Sequence, residues 1–310
     1  MSFRDAVEYA GYSFASAMTR ILPLSLLYGL CRAFGSIAWH RGGKQARIAK
    51  ENLRIAFPNM AQEERDRIGR ESFVEFSRNT IDFLRAERWD AETLRAHTDL
   101  VGMQHYVNAA ARGKGVFFLT LHLGNFEIMC RRATLDGLGM LVIGRPMRNQ
   151  LLYGRIRKSR EAYGAKLADR DNAAPEMLRY LRKNSIIAVL NDHYTSISRG
   201  IMVPFFGVLA STSPGVAMLA IRTGAAVCPA FTVRDEDGIH RSEILPALDF
   251  ELSGDRKADI EAVTGQCNAA LEAIIRQYPE QWLWSNRRFR HSPDLVGDGY
   301  TDRVKKHAVG

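Results

Sequence analysis

Apolar positions in this chain change their spacing from one segment to the next, and the change marks out elements. Val116 to Leu121 (VFFLTL) is a short unbroken apolar run, too short for a helix and rich in aromatic and β-branched residues, which predicts a buried strand. Ile186 to Leu190 (IIAVL) and Ala226 to Arg234 read the same way, and Leu141 to Ile143 predicts a shorter strand. Between them the spacing lengthens to three and four. Helices are expected over Asn125–Asp136, Asn149–Tyr163, Ala174–Arg182, Ser213–Thr223 and Asp255–Gln277, several closed by the glycines at 137, 164 and 224. Further helices are expected within residues 60–95 and over Gln104–Ala111. Ile201–Phe206 reads as extended, and His240–Leu248 as a strand antiparallel to Ala226–Arg234. Strands alternating with helices predict an α/β fold: a mixed, mostly parallel central sheet covered by helices on both faces.

The first 45 residues follow another pattern. From Tyr9 to Trp39 the chain is largely apolar, but Arg20, Pro23 and Arg32 interrupt it, and the uncharged runs Tyr9–Thr19 and Ile21–Cys31 are each 11 residues long. A single crossing of a bilayer needs ~20 apolar residues. Two helices lying in the interface are expected instead, making residues 1–45 a membrane-associating segment before one α/β domain over 46–310. The alternative is an ordinary helical hairpin packed on the core. Arg41, Lys44, Arg47, Lys50 and Arg54 follow at once, and such a cluster suits an anionic leaflet. Acidic residues near the start and the lack of a clean cleavage site argue against a signal peptide.

Composition narrows the choices further. The formal charge of +9 favours an anionic partner, yet basic residues are scattered among acidic ones and no nucleic-acid motif is present, so no nucleic-acid partner is expected. The four cysteines at 31, 130, 228 and 267 form no CxxC pair, which argues against a zinc site or a disulfide framework. No phosphate-binding glycine loop is read either, so neither metal nor cofactor is expected.

The densest chemistry lies at the end of the first buried strand, in His122-Leu-Gly-Asn-Phe-Glu127. A histidine where a strand stops and a carboxylate in the first turn of the next helix occupy the place where α/β sheets put their chemistry. An imidazole can take a proton from a hydroxyl while a carboxylate holds its tautomer. Residues of this kind also arise as plain core and capping residues. The glycine and asparagine between them permit close approach of a ligand to the backbone.

This block resembles the His-x4-Glu block of the lipid A late acyltransferases, the lauroyl and myristoyl transferases of Gram-negative bacteria, with Phe126 where tryptophan is common. Four further blocks resemble the same family in order: Asn52-Leu-Arg-Ile-Ala-Phe-Pro58, Val203-Pro-Phe-Phe-Gly207, Leu219-Ala-Ile-Arg-Thr-Gly-Ala225, and Pro279-Glu-Gln-Trp-Leu-Trp284 followed by Arg287-Arg-Phe289. The family usually has histidine at Asn286, and glutamine more often than His193 after Asp192. The resemblance implies a glycerolipid-acyltransferase-like fold at the cytoplasmic face of the inner membrane. It also implies an acyl thioester donor, carried by acyl carrier protein or coenzyme A, and a lipid A precursor as acceptor. His122 is then the expected general base and Glu127 its orienting carboxylate, with the N–H groups of Gly124 and Asn125 as oxyanion donors. Arg145 matches the family's Arg-Pro, Arg160 falls in its arginine-rich helix, and Asp192 matches its aspartate; all three are expected to bind substrate or order the site. Arg287 and Arg288 are candidates for pairing with phosphates or site carboxylates. Another glycolipid, a lysophospholipid or an amino-acid lipid as acceptor, or water in a hydrolase, would suit the same residues. A basic membrane-binding protein without catalysis is the remaining alternative.

Overall fold

The computed structural model describes residues 2–162 and 164–295. It opens with helices: α1 (Phe3–Ile21), α2 (Leu24–His40), α3 (Lys44–Ala56), α4 (Gln62–Ala86) and α5 (Ala91–Ala96). Strand β1 (Thr98–Val101) and α6 (Met103–Ala110) lead into β2 (Val116–Thr120), α7 (Phe126–Leu135), β3 (Met140–Gly144), α8 (Gln150–Glu161), β4 (Lys166–Asp169), α9 (Ala174–Arg182) and β5 (Ile186–Leu190). A hairpin of β6 (Ile201–Phe205) and β7 (Val208–Thr212) precedes α10 (Gly215–Thr223), β8 (Ala226–Arg234), β9 (His240–Ile244) and α11 (Arg256–Gln277).

Seven strands form the central sheet in the order β1-β9-β8-β2-β5-β3-β4, parallel at every pairing except β8 with β9. The expected mixed, mostly parallel sheet is therefore present. Its strands alternate: Phe117 and Leu119 of β2 face a core shared with α3, α9, α10 and α11, while Val116 and Phe118 face a smaller core under α6 and α7. Short β1 and β4 carry too few apolar positions to stand out in the sequence. The antiparallel partner of β8 is regular only over His240–Ile244, after which Leu245 and Leu248 still donate to carbonyls of Pro229 and Val227. The predicted helix end at Tyr163 and the domain's last residues, 296–310, lie outside the described residues.

The break between α1 and α2 falls at Leu22 and Pro23, beside the expected interruption. No described helix is long and apolar enough to cross a membrane. Helix α2 packs closely on α4: a Cβ on Gly69 would lie 2.1 Å from the Trp39 ring. A buried ionic network then fastens this pair to the sheet. Arg234 at the end of β8 pairs with Asp82 and with Glu75 (3.1 Å) on α4 and donates to the Tyr28 hydroxyl of α2 (2.8 Å). Burial alone would raise the Asp82 pKa, but His240, Arg234 and Tyr28 overcome it and hold the carboxyl at about 2. Apolar side chains are left exposed along the outer sides of both helices: Phe3, Val7, Phe14 and Ile21 on α1, and Leu26, Leu30, Phe34 and Ile37 on α2. Their spacings of three, four and seven place each set on one helical face.

Candidate active site

Register builds the site. Thr120 of β2 pairs with Leu190 of β5, so the two strands stop side by side, and the Asn191 N–H donates to the Thr120 carbonyl (3.0 Å). Two residues beyond each end, His122 and Asp192 must meet. His122 Nδ1 lies 2.8 Å from Asp192 Oδ1, and the His122 backbone N–H donates to Oδ2 at 2.9 Å. Trp282 Nε1 donates to the same Oδ2 at 2.8 Å. Asp192 is fully buried. Its burial opposes ionisation, yet the interaction with His122 and the hydrogen bonds from it keep the carboxyl well below the ordinary carboxylate range. An ionised carboxylate only accepts, so Nδ1 carries the proton and Nε2 is left as the basic nitrogen. The His193 ring lies against His122, tilted by 32° with ring centroids 3.8 Å apart, and Phe126 meets His122 edge-on at 5.2 Å. Burial, then the neighbouring imidazole, lowers the His193 pKa to about 4, so this second ring is neutral at physiological pH.

Glu127 does not touch His122, contrary to the dyad expected from spacing. Residues 122 and 127 lie on either side of a sharp turn, and the first turn of α7 aims the carboxylate toward α8. There Arg160 Nε donates to Oε2 at 2.8 Å, and its Nη2 donates to the other oxygen. Burial works against the Arg160 charge, but the Glu127 pairing prevails and raises its pKa. The histidine's partner is Asp192, which the sequence offers as a substrate-binding or ordering residue at a strand end but not as the partner of His122.

The turn itself is fixed by Gly124, at φ +56°, where a Cβ would fall 2.0 Å from the Thr232 carbonyl oxygen. Its N–H, an expected oxyanion donor, instead donates to the Gln281 carbonyl (3.1 Å). Asn125 caps α7, its Oδ1 accepting from the Ile128 N–H (3.3 Å), while its Nδ2 donates to the Asn79 carbonyl on α4 (3.0 Å). Arg145 is exposed after β3 and lines neither of the cavities at His122 and Glu127. Arg288 is buried, donating to the Ser211 carbonyl (2.8 Å) and Thr212 hydroxyl (2.7 Å) of the β6–β7 hairpin, and its charge is felt by Asp192 and His193. Burial lowers its pKa to about 10.

Two cavities meet here. One, with about 190 Å³ open to water, has His122, Phe126, Glu127 and Trp282 in its wall. The other lies between α7 and the sheet, with about 80 Å³ open. Phe118, Met129, Cys130, Met140 and Ala230 line it, and Glu127 and Arg160 supply charge. Phe126 and Glu127 belong to both walls. His122, Asp192 and His193 also offer ligand atoms within 4.8 Å of one another. The Asp192 oxygens, however, already accept from two His122 groups and Trp282, which leaves a cation little of the carboxylate.

The comparisons add identity to this geometry. The chain is 27% identical over 291 residues to the lipid A biosynthesis lauroyltransferase of Escherichia coli (strain K12), covering 90% of each chain. It is 26% identical to that organism's lipid A biosynthesis palmitoleoyltransferase, covering 88% of this chain and 87% of the relative. It is also similar to a phosphatidylinositol mannoside acyltransferase of Mycolicibacterium smegmatis (strain ATCC 700084 / mc(2)155), 24% identical over 88% of both. The protein is an acyltransferase. Residues 3–291 match the family described as bacterial lipid A biosynthesis acyltransferase, and the chain belongs to that family.

Proposed function

We propose that this enzyme moves a fatty acyl chain from an acyl thioester to a hydroxyl of a lipid A-type acceptor, with His122 as general base and Asp192 as the carboxylate that orients it. The His122–Asp192 contact carries the proposal. It fixes the Nδ1–H tautomer and turns Nε2 into the base that receives the acceptor's proton, and the buried negative charge stabilises the imidazolium formed as the hydroxyl attacks the thioester carbonyl. The thiolate then leaves and takes up a proton.

In this proposal the apolar cavity under α7 receives the acyl chain, since each buried methylene contributes ~0.8 kcal/mol. Glu127 and Arg160 sit at its charged wall and position the thioester end. Oxyanion stabilisation falls to the positive end of α7 rather than to Gly124. An acidic carrier protein suits the chain's charge of +9 as donor. The apolar faces of α1 and α2, followed by the basic cluster, support residence on the cytoplasmic face of the inner membrane.

Purified enzyme with an acyl thioester and a lipid A precursor should give the acylated lipid, and His122→Ala should abolish transfer while the fold persists. Wild-type activity in that variant would show the base to be misassigned. The mycobacterial relative favours a second reading, a glycolipid acceptor of another kind. Mass spectrometry of lipids from a strain lacking the protein separates the two by which lipid loses a chain.

A further inference from the structure

The cavity at His122 adjoins a second, larger groove. Ser72 and Phe76 of α4, with Leu283, line both. From there the groove runs between α4 and the α2–α3 elbow, past Trp284 to Phe34, Ala38 and Arg41, with about 400 Å³ open. That volume lies within the ~300–1,000 Å³ usual for ligand clefts. Phe34 and Phe76 are 67% and 57% exposed. Phe34 is also part of the exposed apolar stripe on α2, with Leu26, Leu30 and Ile37. One end of the groove therefore adjoins the cavity of the proposed base, and the other reaches an apolar surface.

We infer that this groove holds a fatty chain of the acceptor lipid, a lateral entry path from a lipid surface to His122. The inference rests on the acyl-transfer reading of His122. The donor's chain has a separate place under α7, on the far side of Phe126 and Glu127. A carrier-bound or coenzyme A thioester arrives from water, whereas an acceptor lipid arrives from a lipid phase. The groove that opens beside the α2 stripe suits the second. An acceptor sliding along it keeps its chain out of water while its hydroxyl reaches Nε2, and Arg41 adds a cation for the phosphates of a lipid surface.

Ala38→Trp and Ser77→Phe fill the groove away from His122, and Phe34→Asn makes its exposed mouth polar without touching the core. With a chain-bearing acceptor in mixed micelles, each variant should raise the acceptor KM at least tenfold. The kcat at saturation, the thioester KM and the melting temperature should stay near wild type, and Phe34→Asn keeps the test open should a filling variant not fold. A diazirine at the tip of the acceptor's chain should label α2 or α4. Unchanged acceptor KM in all three variants, or labelling confined to α7, would overturn the groove assignment. Failure of the wild type to acylate any lipid hydroxyl would instead overturn the acyl-transfer reading beneath it.

Discussion

Replacing Asp192 by asparagine keeps the shape of the site and reverses its proton. Oδ2 of Asp192 accepts from two obligate donors, the His122 backbone N–H at 2.9 Å and Trp282 Nε1 at 2.8 Å. In Asp192→Asn the amide oxygen must take that position, because an NH₂ group there would face two donors. The NH₂ is then aimed at His122 Nδ1, which becomes an acceptor, so the ring proton moves to Nε2. The nitrogen that should receive the acceptor's proton already holds one. The variant also loses the buried charge that stabilises imidazolium. The corresponding change in serine proteases lowers kcat ~10⁴-fold for the same tautomeric reason, so a loss of about 10³–10⁴ is expected here. At 1.36 kcal/mol per decade this is about 4–5 kcal/mol of transition-state stabilisation. The assay is kcat and kcat/KM with purified enzyme, an acyl thioester and a lipid acceptor, alongside a melting curve. A folded Asp192→Asn enzyme within tenfold of wild-type kcat refutes the argument, since orientation by Asp192 would then be dispensable.

Glu127 and Arg160 should behave as one unit: Glu127→Gln and Arg160→Gln each lower kcat/KM, and the double variant should be little worse than the poorer single one, a coupling of about 0.5–3 kcal/mol in a kinetic double-mutant cycle. His193 should make the fold sensitive to acid. Its pKa is about 4 in the folded protein and ~6.5 in an unfolded chain, so the unfolded state binds the extra proton between those values and stability falls as pH drops from about 6.5 to 4; His193→Gln should flatten that part of a denaturant-midpoint-against-pH curve. Arg234→Ala leaves Asp82 and Glu75 without their shared cation and should cost about 3–5 kcal/mol by urea unfolding. Gly124→Ala puts a methyl against the Thr232 carbonyl at a positive φ, and should lower kcat by displacing His122 even where the protein still folds.

Much of this was legible in residue order. The buried strands ending before His122 and Asp192 stood out because parallel sheets covered on both faces need continuous apolar runs, and VFFLTL and IIAVL are such runs. The start of a helix at Asn125 was legible because helix N-termini select that side chain for a local reason. The partner of His122 was not, and the failure has a cause. Spacing of five suggests proximity only if the backbone continues smoothly, and Gly124 turns it sharply, sending Glu127 to Arg160. Asp192 lies 70 positions from His122, and only the alignment of Thr120 with Leu190 brings them together. Register is a property of paired strands, so no single strand's pattern contains it. The free N–H of Gly124 failed as an expectation for a similar reason, since its acceptor, Gln281, arrives from the other end of the chain.

Those distant arrivals also explain why separate blocks along the chain carry one resemblance. The C-terminal block lies along the His122 loop: Gln281 accepts from Gly124, the Leu283 N–H donates to the His122 carbonyl (3.0 Å), and Trp282 supports Asp192. The block is held in turn by Asn52, buried in α3, whose Nδ2 reaches the carbonyls of Trp284 (2.7 Å) and Asn286 (2.6 Å). Asn286 completes the circuit by donating to the Asp192 carbonyl at 3.4 Å. These contacts join the Asn52, His122 and C-terminal blocks to one another, and through Trp282 and Asn286 they tie the last of them to Asp192 beside the imidazole. Three of the five motifs, separate in sequence, are therefore linked around one histidine. That accounts for Trp282, which is the third donor, after two His122 groups, to the carboxylate that sets the proton on His122.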